Sequence, residues 1–246
     1  MRSAEEIRQH VRLHYAGQGS QGHGCCGDSS CCAPHSPTGV TDPSGEILAE
    51  FAGPSLGCGS PLAFAEVGLG ETVIDLGSGA GREVLQAAMQ VGAGGKGIGI
   101  DMTPEMVGRA RTNAERIGVS NAEFRLGEIE QLPLADASAD VVISNCVINL
   151  VPDKGRAFQE AYRVLRPGGR LVVSDMVSNG PMPAALLHDA DAWAGCVAGA
   201  VDLTDYLATL AAAGFQDVEI LERGSAAPGQ VYSVTVRARR PGGAHS

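Results

Sequence analysis

Three features of the chain predict a doubly wound α/β fold built on a mainly parallel, seven-stranded sheet. Strand and helix patterns alternate from residue 71 onward. A glycine-rich turn, Asp75-Leu76-Gly77-Ser78-Gly79-Ala80-Gly81, follows the first strand, and a carboxylate, Asp101, ends the second. With 246 residues, 44% of them hydrophobic, the chain can bury a full core and carry an appended lobe.

The elements follow in order. Residues 3–15 have helical spacing through Ile7 and Val11, with Ser3 as N-cap and Glu6 three residues on. Residues 17–43 turn to Gly, Ser, Pro, His and paired cysteines, too poor in large apolar groups to pack, and read as a loop. A buried strand is expected over 72–76, a helix over 81–91 and a strand over 97–101. The helix over 104–117 has Thr103 as N-cap, proline at its first position and Glu105 in its first turn. Strands over 123–126 and 140–144, a helix over 154–165, a turn at Arg166-Pro167-Gly168-Gly169 and a strand over 170–174 continue the alternation. Ala-rich helical segments over 184–200 interrupt it; a helix over 204–213 and two strands, near 218–221 and 231–236, complete it. Strands so close in sequence should pair antiparallel at the sheet edge.

Charge and composition exclude several classes of function. A net charge of −10 opposes a nucleic-acid partner, and the cluster Arg237, Arg239, Arg240 reads as a solvated tail. No apolar run reaches the roughly 18 residues of a membrane span. The first residues lack the basic end and apolar core of a secretory signal. Seven cysteines without a signal imply a reducing compartment, with the cytoplasm as the expected location.

The glycine loop lets backbone approach a ligand at the carboxyl end of the first strand. Its spacing, Gly77-x-Gly79-x-Gly81 with Arg82 following, departs from the dinucleotide fingerprint. Asp75 ahead of the loop suits a cationic sulfonium or amino group better than a pyrophosphate. Asp101 is placed to take both hydroxyls of a ribose. The alternative for Asp101 is a helix-capping acid.

These residues and their order resemble the Rossmann-like class I S-adenosylmethionine-dependent methyltransferases. The resemblance implies that Asp75, Gly77, Gly79 and Gly81 wall the methionine and ribose, that Met102 packs on adenine, and that Glu128 or Ile129 borders the adenine edge. It places Asn145 at the methionine end. Each has a plain alternative: core packing for Met102, a solvated acid for Glu128, a strand-terminating amide for Asn145.

Three further segments narrow the resemblance to the arsenite methyltransferase family. They are Gly53-Pro54-Ser55-Leu56-Gly57-Cys58-Gly59-Ser60-Pro61, Ile143-Ser144-Asn145-Cys146-Val147-Ile148-Asn149-Leu150, and Cys196 in the late insertion. The phrases Asp101-Met102-Thr103-Pro104-Glu105-Met106 and Arg125-Leu126-Gly127-Glu128-Ile129-Glu130 are similar too. On this basis residues 1–60 are a helix and Cys-rich substrate loop. Residues 61–178 are the donor-binding core, and 179–246 an insertion, a final helix and edge strands. Trivalent arsenic is a soft atom that thiolates bind, so Cys58, Cys146 and Cys196 are the expected As(III) ligands and catalytic residues. The arsenic lone pair carries no proton, so the chemistry needs positioning rather than a general base. The competing view is that each cysteine packs as a small hydrophobe.

The pairs Cys25-Cys26 and Cys31-Cys32 stand apart, and their spacing does not match two-residue zinc pairs. The resemblance implies that one N-terminal cysteine pairs with Cys58 as a redox partner. Which of the four does so stays open, with Cys31 or Cys32 as candidates and glutathione or a thioredoxin-type protein as thiol reductant. Two other functions stay open at this point: a small-molecule C- or O-methyltransferase with structural cysteines, and a soft-metal binding or sensing protein.

Overall fold

The computed structural model describes residues 3–18, 59–182, 189–227 and 230–243. Helix α1 (Ala4–Gln18) starts where the sequence places it. Ser3 Oγ accepts from Glu6 N at 3.2 Å, and Glu6 Oε2 accepts from Ser3 N at 2.6 Å, a reciprocal capping box. After a short helix α2 (Pro61–Phe64) come β1 (Thr72–Leu76), α3 (Arg82–Val91), β2 (Lys96–Asp101), α4 (Pro104–Ile117), β3 (Ala122–Leu126) and β4 (Ala139–Asn145). A single 3₁₀ turn (Ile148–Leu150) leads to α5 (Lys154–Val164) and β5 (Leu165–Ser178). Helices α6 (Ala190–Ala194) and α7 (Leu203–Ala212) and strands β6 (Gln216–Arg223) and β7 (Val231–Arg239) follow.

The seven strands are ordered β3-β2-β1-β4-β5-β7-β6. The first five are parallel; β7 runs antiparallel to both β5 and β6. The parallel strands carry the continuous burial expected of strands covered on both faces, as in β4, where Val141, Val142 and Ile143 are all inaccessible. The largest core cluster joins Ile74, Val142, Leu171 and Val234 of the sheet to Phe158 of α5 and Tyr206 of α7. Phe158 meets Tyr206 edge-on at 5.4 Å.

Two elements depart from expectation. Strand β5 includes the Arg166-Pro167-Gly168-Gly169 segment, which was expected to be a separate turn. Gly168 does take a left-handed φ of +83°, but the ladder to β4 absorbs it as an irregularity between Ala139 and Val141 and resumes at Arg170. In the Ala-rich region only Ala190–Ala194 is helical among the described residues. Beyond it Cys196 has a positive φ and Gly195 and Gly199 flank it, so the chain runs through turns up to Ala200.

Strand order reverses between β1 and β4, and the crevice beyond their carboxyl ends is where ligands of open α/β sheets bind. The glycine loop and the Asn145-Cys146 dipeptide both leave the sheet there.

Candidate active site

The glycine loop turns sharply because its first two amides share one acceptor. Gly77 N and Ser78 N both donate to Ile100 O, at 2.8 and 3.0 Å. Gly77 has φ +74°, and a Cβ there would run into the Val147 side chain, so the loop lies directly against the residue after Cys146. Asp101 receives Gly79 N on Oδ2 at 2.9 Å and Thr103 N on Oδ1 at 2.8 Å. It therefore ties the loop to the start of α4, and the Thr103 side chain adds a third bond to the carboxylate. Thr103 is the N-cap residue as expected, but its side chain makes no capping bond; the Asp101 carboxylate satisfies its amide instead.

Three carboxylates gather at this end of the sheet. Asp75 is 4% exposed, and its pKa is pushed well up, first by burial and then by the charges of Glu83 and Asp101. Glu83, in the first turn of α3, is raised to about 7, chiefly by burial, against bonds from Asn145 and Leu62 N and the charge of Arg82. Asp101 is raised by burial against its backbone bonds. The Glu83 Oε2 atom is enclosed and accepts no hydrogen bond among the described residues. Mutually repelling acids in a ligand crevice, with an orphaned oxygen among them, fit a cationic ligand that supplies the missing charge. Glu83 escaped sequence reasoning because an acid in a helix's first turn is ordinary complementation of the helix dipole.

Asn145, expected at the methionine end of the donor, bonds to two neighbours at this end of the sheet. Its Nδ2 donates to Glu83 Oε1 at 2.8 Å and to Gly59 O at 2.7 Å, and its Oδ1 accepts from Gly59 N at 3.2 Å. The amide thus holds the backbone beside residue 58 to the end of β4. Cys58 itself lies outside the described residues, as do Cys25, Cys26, Cys31 and Cys32.

The other two expected arsenic ligands, fifty residues apart, meet in one buried cluster with Val11, Leu150, Met176 and Ala200. Cys146 is 5% exposed and Cys196 8% exposed, and Cys196 Sγ donates to Cys146 O at 3.3 Å. Both stand on left-handed backbone, at φ +56° and +62°. A residue with a Cβ pays to adopt that conformation, and such strain concentrates at functional sites. Cys146 is disulfide-bonded, whereas Cys196 is not in a disulfide.

Helix α1 forms a wall of the crevice. Val11 is 2% exposed, and Ile7, Tyr15 and Met102 pack on the cluster that holds the two cysteines. Arg8 donates from Nε to Glu130 Oε2 at 3.0 Å and lies 3.6 Å from Glu128, which also pairs with Arg12 at 3.5 Å. Met102 and Glu128, the expected adenine neighbours, are thus both beside α1. The Ile129 side chain belongs to the main core, 6% exposed.

A second buried polar group went unread in the sequence. Asp175 accepts from Asn149 N at 3.0 Å, Met176 N at 3.0 Å and Tyr206 Oη at 3.2 Å, and burial raises its pKa to about 7 against the charge of Lys154. Lys154, lowered to about 8 by burial, donates to Asn149 O and Val151 O, each at 3.2 Å. Its ammonium sits 5.7 Å from the centre of the Trp193 ring. In sequence these residues look like strand ends and helix starts; nothing local marks them as one group.

The methyltransferase domain family matches residues 69–224. The chain is similar to the arsenite methyltransferase of Halobacterium salinarum, 48% identical over 89% of this chain and 60% of that protein. It is also similar to that of Aquipseudomonas alcaligenes, 39% identical over 79% of this chain and 58% of that one. It therefore spans about 60% of the length of these curated relatives. Among solved structures it resembles CrArsM, an arsenic(III) S-adenosylmethionine methyltransferase from Chlamydomonas reinhardtii. That chain is 34% identical, with a TM-score of 0.73, over 83% of this chain and 76% of that one. The [4+2]-cyclase SpnF, at 18% identity and TM-score 0.62, shares the fold alone. By sequence along most of its length and by structure, the chain belongs to the arsenite methyltransferase family.

Proposed function

We propose that this protein transfers a methyl group from S-adenosylmethionine to trivalent arsenic held by the thiolates of Cys58, Cys146 and Cys196, and so serves arsenic detoxification. The observation that carries this reading is the meeting of Cys146 and Cys196 in one buried cluster, both on strained backbone, beside a crevice lined with uncompensated carboxylates. Packing alone gives no reason for two left-handed cysteines at the ligand end of a sheet.

Asp75, Glu83 and Asp101 suit a donor that carries positive charge, with Gly77 and Gly79 close to it and Met102 and Glu128 on the side facing α1. When bound, the donor supplies a methyl group activated by its cationic sulfur. The protein holds the arsenic at a fixed place and angle. Such positioning contributes roughly 7–11 kcal/mol when two reactants are kept in attack geometry. Walls made by α1 and the turn after α6 exclude water from the thiols.

Because Cys146 is disulfide-bonded in the structure, arsenic binding must follow reduction. A thiol reductant, glutathione or a thioredoxin-type protein, gives two electrons and two protons to the disulfide. Two cysteine thiols form, and the reductant leaves as its own disulfide. Purified protein given arsenite, donor and either reductant should form methylated arsenicals, resolved by chromatography; omission of the reductant should stop turnover. No methylated product from folded, donor-binding protein would sink the reading.

Donor binding should also depend on pH. Glu83 is raised to about 7 in the free protein, so its contribution to stability is full below the ordinary glutamate range and is lost as pH rises through about 7. A cationic ligand favours the anion and expels the proton, so affinity rises with pH. For one proton released around pH 7 the gain between pH 6 and 8 is on the order of tenfold. Calorimetric titration with S-adenosylmethionine should show this rise, and Glu83→Gln should flatten it; an equally steep rise in the variant would assign the proton elsewhere.

A further inference from the structure

Cys196 hangs from a stretch without regular structure, at the end of a five-residue helix. Its amide donates back to Trp193 O at 3.1 Å, and its φ of +62° is one that the short helix does not impose. Its backbone carbonyl accepts from Asn149 Nδ2 at 2.7 Å. Asn149 is inaccessible to solvent, and every other polar group of its backbone is held as well: N–H by Asp175 Oδ2 and C=O by Lys154 Nζ. Tyr206 Oη donates to that same Asp175 oxygen, which fixes the acceptor. Gly199 lies flush on the Asn149 carbonyl, where a Cβ would have no room, so the turn that carries Cys196 bears on Asn149 at two points.

The side-chain orientation is fixed by chemistry. Turned over, the amide would set its oxygen against the Cys196 carbonyl. In the orientation it has, Oδ1 is buried without a hydrogen bond among the described residues, a cost that an apolar residue at this inaccessible position would avoid. The amide is therefore poorly explained by stability, and its one side-chain bond goes to the cysteine.

We propose that Asn149 is the positioning residue for the Cys196 thiol, tethering the late insertion to the ligand end of the sheet, with Asp175, Tyr206 and Lys154 setting the tether's direction. The proposal rests on the arsenic-methylation reading for its purpose, since it decides whether As(III) meets the Cys196 sulfur in addition to the Cys146 one.

Alkylation of the reduced, full-length protein with iodoacetamide, followed cysteine by cysteine by peptide mass spectrometry, tests it. Asn149→Leu keeps the volume and removes the donor; Asn149→Ser is the milder variant should the first not fold. Without arsenic, Cys196 should alkylate at least about tenfold faster in either variant than in the wild type, as expected for a local opening. Cys146, held by its own amide bond to Ser174 O at 2.7 Å, should change by less than about threefold, and so should the affinity for S-adenosylmethionine. With arsenite present, the wild type should protect both cysteines and the variants Cys146 alone. Unchanged Cys196 reactivity in a folded variant overturns the proposal, as does an equal loss at Cys146 and at the donor site, which would make Asn149 merely structural. Arsenite that protects neither cysteine of the wild type would instead refute the arsenic reading, while the arsenic-free rates still judge the tether.

Discussion

Cys146→Ser is expected to lower kcat/KM for arsenite methylation by about 10³-fold, equivalent to about 4 kcal/mol of transition-state stabilisation. Serine has nearly the same size and can occupy the same left-handed backbone position at 5% exposure, so under reducing conditions, where wild-type Cys146 is a free thiol too, the fold should survive. What it lacks is a soft, ionisable sulfur; its hydroxyl stays protonated and binds a soft atom poorly. Affinity for S-adenosylmethionine should stay within about threefold, because the carboxylates proposed to hold the donor lie on β1, β2 and α3 and are unchanged. The two measurements together are decisive. A variant that binds donor and still turns over arsenite within tenfold of wild type would reduce Cys146 to a packing residue. A C- or O-methyltransferase with structural cysteines would behave in that way on its own substrate.

Asp75→Asn should act in opposite directions on function and stability. The buried carboxylate faces Glu83 and Asp101, so in the free protein its charge is disfavoured. With its pKa raised, its contribution to stability is fully present below the ordinary aspartate range and is lost as pH rises through the higher folded value. Above the ordinary aspartate range, folding must either bury this charge or take up a proton, a net cost that the neutral amide removes. We expect the melting temperature without donor to rise by roughly 2–4 °C, the shift that about 1 kcal/mol gives a chain of this size. Affinity for S-adenosylmethionine should fall by about 100-fold, close to 2.7 kcal/mol, as a cationic ligand loses its buried counter-charge. Thermal melts and calorimetric titration on the same preparation check both signs. A drop in melting temperature together with unchanged affinity would mean that Asp75 holds the strand rather than the ligand.

Much of the architecture could be read from local chemistry. Pro104, Glu105 and the Gly118 that follows Ile117 bound α4 at the expected residues, since a proline at N1 and a left-handed glycine after the last turn are strong stops. Ser3 and Glu6 announced α1 by the same kind of local bonding. The fate of Asn145 could not be read this way. Its amide is spent on Gly59, 86 positions away in the chain, and on Glu83, and only tertiary structure brings those partners together. The Asn149, Asp175, Lys154 and Tyr206 group is hidden for the same reason: each member is unremarkable in its own element, and the cluster exists only where β5, α5 and α7 converge. Strand β5 misled in a different way, because a proline and two glycines signal a turn wherever they occur. Here the ladder carries on past them through a register irregularity.

The position of β7 bears on how the protein is made. It follows β6 in sequence, yet it lies inside the sheet, between β5 and β6, and pairs with β5 from Arg170 to Ser178. During synthesis, the β5 edge therefore stays open until Val231–Arg239 leaves the ribosome. Val172, Val173 and Val177 would meanwhile present an apolar, hydrogen-bonding edge that invites another chain. Val231 also packs on the cluster that contains Cys146 and Cys196, so the thiol site cannot close before that strand is in place. A nascent chain stalled short of residue 231 should be both inactive and prone to self-association, even though all the cysteines and donor-site residues have already been synthesised.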